Sequence, residues 1–243
     1  MTVQAHLYHW LWGTLDALFP PRCAGCGREG TRWCEDCQRK VQVLKPPLCP
    51  RCGEPGFESL CPSCRQHPPA FTQLRAWSLY ADPIRTAIHQ LKYRRNLGLG
   101  EALALPLADF VRSLNWPVEA IVPIPLSQKR YQERGYNQVA TFAYPLALHL
   151  GLPYLGHALH RTRDTRSQVG LSAHERRENV HNAFQAREKL VRGKQILLVD
   201  DVATTGSTLS SAANALLIAG AQAVYAVTLA RANSLSLGGT HDA

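Results

Sequence analysis

The 243-residue sequence has no run of roughly 20 continuous apolar residues, so nothing in it reads as a membrane-spanning helix. Acidic residues are scarce: 18 Asp and Glu stand against 27 Lys and Arg, a formal net charge of +9. That imbalance points to acidic partners such as phosphates, nucleotides or nucleic acid. Eight thiolates on two Zn²⁺ ions would subtract about four of those charges, so the location of the excess says more than its total. It gathers at Arg85/Lys92/Arg94/Arg95, at Lys129/Arg130/Arg134 and at Arg161/Arg163/Arg166/Arg176/Arg177. The ten histidines show no metal-ligand spacing. With 45% hydrophobic and 19% charged residues the composition is that of a folded chain, which excludes extensive disorder. The length suits one well-cored domain and a smaller appendage.

Residues 6–19, "HLYHWLWGTLDALF", are apolar enough to suggest a targeting segment, yet they lack a basic leader and a small-residue cleavage site and include Asp16. They read as an amphipathic helix, within residues 1–19, that docks on its own protein. Contact with a membrane or partner is the lesser reading. The expectation is a cytoplasmic protein without stable membrane insertion.

All eight cysteines lie between residues 23 and 64, in four C-x-x-C pairs: Cys23/Cys26, Cys34/Cys37, Cys49/Cys52 and Cys61/Cys64. A tight turn between two such cysteines aims both sulfurs at one tetrahedral ion about 2.3 Å away. The stretch repeats itself, "CAGCGREG" and "CPRCGEPG" each being followed by a further pair. Two copies of one module imply sequential sites, Cys23/26/34/37 on one structural zinc and Cys49/52/61/64 on another. Gly27 and Gly53, after the second cysteine of each copy, supply the backbone freedom the turn needs. A disulfide framework and an iron–sulfur cluster are the rival readings. Residues 20–66 can bury little apolar area, so metal would supply their folding energy. A chelator is expected to melt them and leave the rest folded.

After "HPPAF", residues 67–71, the pattern changes. Helical spacing appears in "PIRTAIHQLKYRRN", in "GEALALPLADFVRSL", expected to bend or begin near Pro106, and in "YNQVATFAYPLALHLG". Residues 119–125, "LPYLGHALHR", "KQILLVDD" and "AVYAVTLAR" read as strands, and the polar "RTRDTRSQVGLSAHERREN" as a mobile loop that could close as a lid. Strands alternating with helices give an α/β fold, a parallel sheet flanked by helices, over residues 71–231, with a flexible tail at 232–243.

Ligands bind beyond the carboxyl ends of strands in open parallel sheets. There "ILLVDDVATTGST" sets Asp200 and Asp201 side by side ahead of Thr204, Thr205, Gly206, Ser207 and Thr208, with a helix beginning at Ser207. Backbone N–H groups, hydroxyls and a helix N-terminus can converge on one phosphate at such a turn. It is not a Walker loop, because its lysine and spacing are missing, so ATP hydrolysis is disfavoured.

The apolar strand, paired acids and T-x-G-S/T turn resemble the signature of type I phosphoribosyltransferases, which bind 5-phosphoribosyl-1-pyrophosphate. Together with "VPIPLSQKRYQERGYNQ", the segment "RTRDTRSQVGLSAHERRENVHNAF" and the double cysteine module, the chain from Cys23 to Arg231 resembles the ComF family, including its GntX-like members. The resemblance implies a double zinc ribbon ahead of a phosphoribosyltransferase-like domain. By it, Asp200 and Asp201 take the ribose hydroxyls with Mg²⁺ bridging ribose and pyrophosphate, and Thr204, Thr205, Gly206, Ser207 and Thr208 take the 5′-phosphate. The family's polar-loop pattern falls on Arg163, Thr165, Gln168, Leu171, Arg176 and Asn179. Arg163 and Arg176 join the two acids as catalytic candidates, and Arg130 and Arg134 are further candidates for pyrophosphate. Lys92 and Tyr93 match a basic stretch of the family but read more simply as packing or solvent-facing residues. The implied role is DNA uptake during natural competence, with a protein of the competence machinery as a further partner.

Two readings remain open from the sequence. One is an enzyme of pentosyl transfer. The other is a protein without turnover that senses the phosphoribosyl ligand or binds single-stranded DNA, with Trp33, Tyr93 or Tyr136 as stacking surfaces.

Overall fold

The computed structural model describes residues 20–94, 96–162 and 183–232. The expected helix within 1–19, the polar-loop residues Arg163, Thr165, Gln168, Leu171, Arg176 and Asn179, and residues 233–243 of the tail lie outside them. No helix among the described residues is long and apolar enough to cross a membrane.

The cysteine-rich segment carries two short helices, α1 (Glu35–Arg39) and α2 (Pro62–Gln66), each starting just after a cysteine. Its duplication extends to the backbone. The Gly27 N–H donates to Cys23 O at 2.8 Å and Gly53 N–H to Cys49 O at 2.9 Å; Cys23 N–H bonds Arg28 O as Cys49 N–H bonds Glu54 O. Gly27 and Gly53 have φ of 78° and 71°, left-handed values that close each turn and that favour glycine.

The larger unit comprises β1 (Gln73–Leu79), α3 (Ile84–Tyr93), α4 (Leu97–Ser113), β2 (Ala120–Pro123), α5 (Gln128–Arg134), α6 (Gln138–Leu150), β3 (Leu159–Arg161), β4 (Phe184–Ala186), α7 (Glu188–Val191), β5 (Gln195–Ala203), α8 (Ser207–Ile218) and β6 (Ala223–Arg231). Four strands form one parallel sheet in the order β1-β6-β5-β2. β5 and β6 are central and close to continuously apolar, as a strand covered on both faces must be. Leu197, Val199, Val227 and Leu229 pack on one face with α3, α4 and α6. Ile196, Leu198, Val224 and Ala226 pack on the other with α8, the antiparallel β3–β4 pair and the second cysteine tetrad.

Both sheet edges are covered. Backbone of the cysteine-rich segment lies along β1, with Leu79 N–H on Gln42 O at 2.9 Å and Leu74 N–H on Arg51 O at 2.8 Å. Beside β2, Ile121 N–H bonds Pro153 O at 2.9 Å and Leu155 N–H bonds Ile121 O at 2.8 Å.

Two expectations need correction, and two elements carried none. Of the bend or start expected near Pro106, the start is overturned: α4 runs through the proline from Leu97 to Ser113. A proline inside a helix costs about 3 kcal/mol, but Leu99, Leu103, Leu107 and Val111 are buried on one stripe, each worth about 1.5–3 kcal/mol, and their sum prevails. Of residues 152–161 only Leu159–Arg161 form a strand, and it is antiparallel, paired with β4 rather than with the main sheet. Finally, β1 and α5 carry no expectation from the sequence, although Leu74, Ala76 and Ser78 alternate inward as strand residues do.

Candidate functional site

The acid pair does not end its strand. β5 keeps its register with β6 through Ala203↔Arg231, whereas β2 stops at Pro123↔Val199, one residue short of Asp200. Pro123 and Pro125 lack N–H groups, so the ladder on that side closes with Ile124 N–H on Val199 O at 2.9 Å. The acids therefore stand where the sheet opens on one side.

Successive strand residues point to opposite faces, which separates the two carboxyls. Asp201, buried, turns toward the helices: its Oδ2 accepts from Gln138 Nε2 at 2.9 Å and pairs with Lys92 Nζ at 3.1 Å. Gln138 is held in turn by Arg134, whose Nη1 donates to Oε1 at 2.8 Å, and the Arg134 guanidinium lies 5.2 Å from the centre of the Tyr93 ring. Asp200 accepts the Asp201 N–H at 2.9 Å. Burial, and after it the charge of Asp201, pushes the Asp200 carboxyl up to about 7 against the pull of that N–H, Lys92 and Arg161.

Four residues on, the chain makes the hydroxyl-rich turn. Gly206 is buried with φ of 77°, a left-handed value that reverses the chain into α8. Thr205 Oγ1 and Ser207 Oγ are 2.7 Å apart, and the Ser207 N–H points at Thr205 Oγ1 at 3.3 Å. Thr204, Ser207 and Thr208 are half-buried and Thr205 is exposed. The turn thus presents the N-terminal N–H groups of a 12-residue helix, with hydroxyls, beside the paired acids. That combination can hold an anion on one side and sugar hydroxyls on the other.

Of the basic candidates, Arg134 is joined to the acid pair through Gln138. Arg130 is exposed on α5. Arg163 and Arg176 lie outside the described residues. Lys92, read from the sequence as a packing or solvent-facing residue, belongs to the site as the cation on Asp201. Gln138 carried no role at all. Lys92 did fall in a named basic cluster, but nothing local joins it to a carboxylate more than a hundred positions along the chain. Of the proposed stacking residues, Trp33 is half-buried with Nε1 donating to Gln38 Oε1, Tyr136 donates its hydroxyl to Leu91 O, and Tyr93 is 60% exposed beside His89, ring centres 4.6 Å apart.

The cysteines form the two sequential groups, Cys23/26/34/37 and Cys49/52/61/64, with the ligand atoms of each group within 4.8 Å of one another. Sulfur separations within the groups are 3.6 Å (Cys23–Cys37), 3.7 Å (Cys26–Cys34) and 3.7 Å (Cys52–Cys61). A disulfide needs about 2.05 Å, whereas a tetrahedron with Zn–S of about 2.3 Å has edges close to 3.8 Å. N–H groups already point at the sulfurs: Cys34 N–H at Cys23 Sγ and Cys61 N–H at Cys49 Sγ, both 3.4 Å. Burial opposes ionisation of Cys23 and Cys49, but backbone donors outweigh it and hold both thiols down at about 6. The two groups are consistent with two structural zinc ions, which would cross-link each knuckle and take no part in a reaction.

Two family models match the chain: a double zinc ribbon domain over residues 14–65 and a phosphoribosyl transferase domain over residues 139–237. The chain is 39% identical over 206 residues to the DNA utilization protein YhgH of Escherichia coli strain K12, covering 82% of this chain and 89% of that one. It is 32% identical over 209 residues to competence protein F of Haemophilus influenzae, covering 82% and 90%. Against competence protein ComFC of Bacillus subtilis identity is 30% over 210 residues, covering 82% and 83%. Similarity of this extent, reaching across both the cysteine repeat and the sheet that carries the acids, makes the chain a member of the ComF/YhgH family of double-zinc-ribbon, phosphoribosyltransferase-domain proteins.

Proposed function

We propose that this protein binds 5-phosphoribosyl-1-pyrophosphate, as its Mg²⁺ complex, where β5 enters α8, and transfers the phosphoribosyl group to an acceptor. Asp200 and Asp201 take the ribose hydroxyls, and Thr204, Thr205, Gly206, Ser207 and Thr208 take the 5′-phosphate. Arg130, Arg134, Arg163 and Arg176 serve the pyrophosphate. In the transfer the bond from C1′ to the pyrophosphate oxygen breaks, pyrophosphate leaves with its electron pair, and the acceptor's lone pair forms the new bond as its proton goes to water. Positive charge gathers on the ribose as this happens, and carboxylates beside the ring favour it. Mg²⁺ enters with the ligand. Among the described residues only the cysteines form a group with metal-site spacing.

The observation that carries this reading is the left-handed, buried Gly206 turning a strand that bears two acids into a helix whose first N–H groups are accompanied by hydroxyls. The names of the relatives, a DNA utilization protein and competence proteins, support a role connected with DNA uptake or use. The experiment is to supply the protein with phosphoribosyl pyrophosphate and Mg²⁺ against a panel of bases and amines and to measure pyrophosphate. Release that depends on an acceptor and is lost in Asp200→Asn supports transfer, and binding without release makes the protein a sensor of this ligand.

A second reading, binding of single-stranded DNA without turnover, draws on the exposed Tyr93 ring between His89 and Arg134. Aromatic faces beside cations suit successive bases. Oligonucleotide affinity that falls steeply with salt and drops in Tyr93→Ala supports it, while affinity indifferent to ionic strength contradicts it.

A further inference from the structure

The two cysteine tetrads repeat each other in sequence and backbone bonding, yet they have different neighbours. Three sulfurs of the first, Cys23, Cys34 and Cys37, cluster only with Trp33, and only Ala24 between them is buried in the core around α3. This knuckle meets the larger unit through Gln90 Nε2 on Ala24 O at 3.1 Å and Arg32 Nη1 on Asn96 Oδ1 at 3.4 Å. The second is part of a main core: Cys49, Cys52, Cys61 and Cys64 pack in one cluster with Phe71, Leu74, Ala203 and Leu209.

Those neighbours lie beneath the hydroxyl-rich turn. A Cβ placed on Gly206 would sit 3.5 Å from Leu74 Cδ2 and 3.6 Å from the Phe71 ring. The Ala70 N–H donates to Ser210 Oγ, in the first turn of α8, at 3.0 Å. Leu74 is fixed to the second knuckle by its N–H on Arg51 O at 2.8 Å.

One side chain ties this assembly to the strands. Arg231, the last residue of β6, is only 4% exposed. Its Nε donates to Glu54 Oε2 at 2.8 Å, its Nη1 to Cys52 O at 2.8 Å, and its Nη2 lies 4.0 Å from Cys52 Sγ. Its backbone stands opposite Ala203, the residue before the turn, and the next N–H, of Ala232, donates to Ala203 O at 2.9 Å. A buried guanidinium is costly to desolvate, and its rigid fork suits a site where several acceptors must be held in fixed relation.

We infer that Arg231 is a positioning residue: by clamping the second metal knuckle to the ends of β5 and β6 it keeps the turn Thr204–Thr208 in its anion-receiving shape. The second tetrad, and not the first, then supports ligand binding. The ligand half of this statement rests on the function proposed above; the ordering of the turn does not.

The test uses the zinc-loaded full chain and compares Arg231→Met, Arg231→Lys and, as a control at the first knuckle, Arg32→Met. Two quantities are read: affinity for phosphoribosyl pyrophosphate with Mg²⁺ by calorimetry, and amide hydrogen exchange along the chain. Arg231→Met is expected to weaken binding on the order of tenfold, as the loss of charge-assisted hydrogen bonds would, and to speed exchange in residues 204–210 more than in β2 or α4. Arg231→Lys should recover part of both, since an ammonium keeps the charge on Glu54 without reaching Cys52 O as well. Arg32→Met should change neither. Wild-type affinity and exchange in Arg231→Met overturn the inference, and so does faster exchange spread evenly over the chain, the mark of a general loss of stability. If the wild-type protein does not bind the probe, the proposed function falls, and the exchange comparison still decides the role of Arg231.

Discussion

Asp201 and Asp200 are adjacent in sequence and opposite in circumstance. One oxygen of Asp201 receives both Gln138 and Lys92, so its side chain is fixed. Replacing Lys92 by Met leaves a buried carboxylate with one donor fewer and no cation, and should cost about 2–3 kcal/mol in urea unfolding, with Lys92→Met/Asp201→Asn recovering part of it. A loss under about 0.5 kcal/mol would show the pair to be incidental. Asp200 is the group that burial pushes up to about 7. A carboxyl that holds its proton more tightly in the folded than in the unfolded chain favours folding while protonated. Its contribution is therefore present below about pH 4 and is lost as pH rises through about 7. Asp200→Asn should flatten the stability–pH curve between those values, and an unchanged slope would contradict the assignment. Gly206→Ala meets ordinary contacts but forces a side chain into φ of 77°, so a cost of about 1–2 kcal/mol is expected in thermal unfolding, with weaker phosphate binding. A variant with wild-type stability and affinity would show that the turn tolerates a Cβ.

At the scale of elements, what local pattern governs was legible and what distant contact governs was not. Four C-x-x-C pairs in two copies specify two sequential tetrads because all four ligands of each lie within about 15 positions of one another. The run from β5 through the turn into α8 announces itself by an apolar stretch, a glycine and a helical period. By contrast α4 passes through Pro106 because its buried stripe outweighs the missing hydrogen bond, and β1 is stabilised by partners as remote as β6 and Arg51. The same distinction alters what metal removal should do. Sequence alone makes residues 20–66 a separable unit, but the second tetrad lies in the core beneath the sheet. A strong chelator should therefore lower the melting temperature of the whole chain. Cys61→Ser should lower it more than Cys26→Ser, whose side chain is exposed at the first site. Equal, small effects from both cysteines would restore the separable module.

For the whole molecule, the cysteine-rich segment lies along the β1 edge, with one knuckle against α3, the helix that carries Lys92, and the other beneath the turn that begins α8. The candidate site is thus assembled from segments scattered over most of the chain, Lys92, Arg134 and Gln138, Asp200 to Thr208, with Arg231 behind them. Sequence patterns located the acids and the turn, whose neighbours are local. They gave Gln138 and Arg231 no role and read Lys92 as a packing or solvent-facing residue; the meaning of all three comes only from what the fold places against them. The account stands on these groups forming one receptor for a phosphorylated ribose. Its most direct test is a calorimetric titration of the zinc-loaded full chain with phosphoribosyl pyrophosphate and Mg²⁺, repeated on Asp200→Asn/Asp201→Asn. The account predicts saturable binding at one site per chain that falls by at least about tenfold in the double variant. No binding, or equal affinity in both proteins, would contradict it.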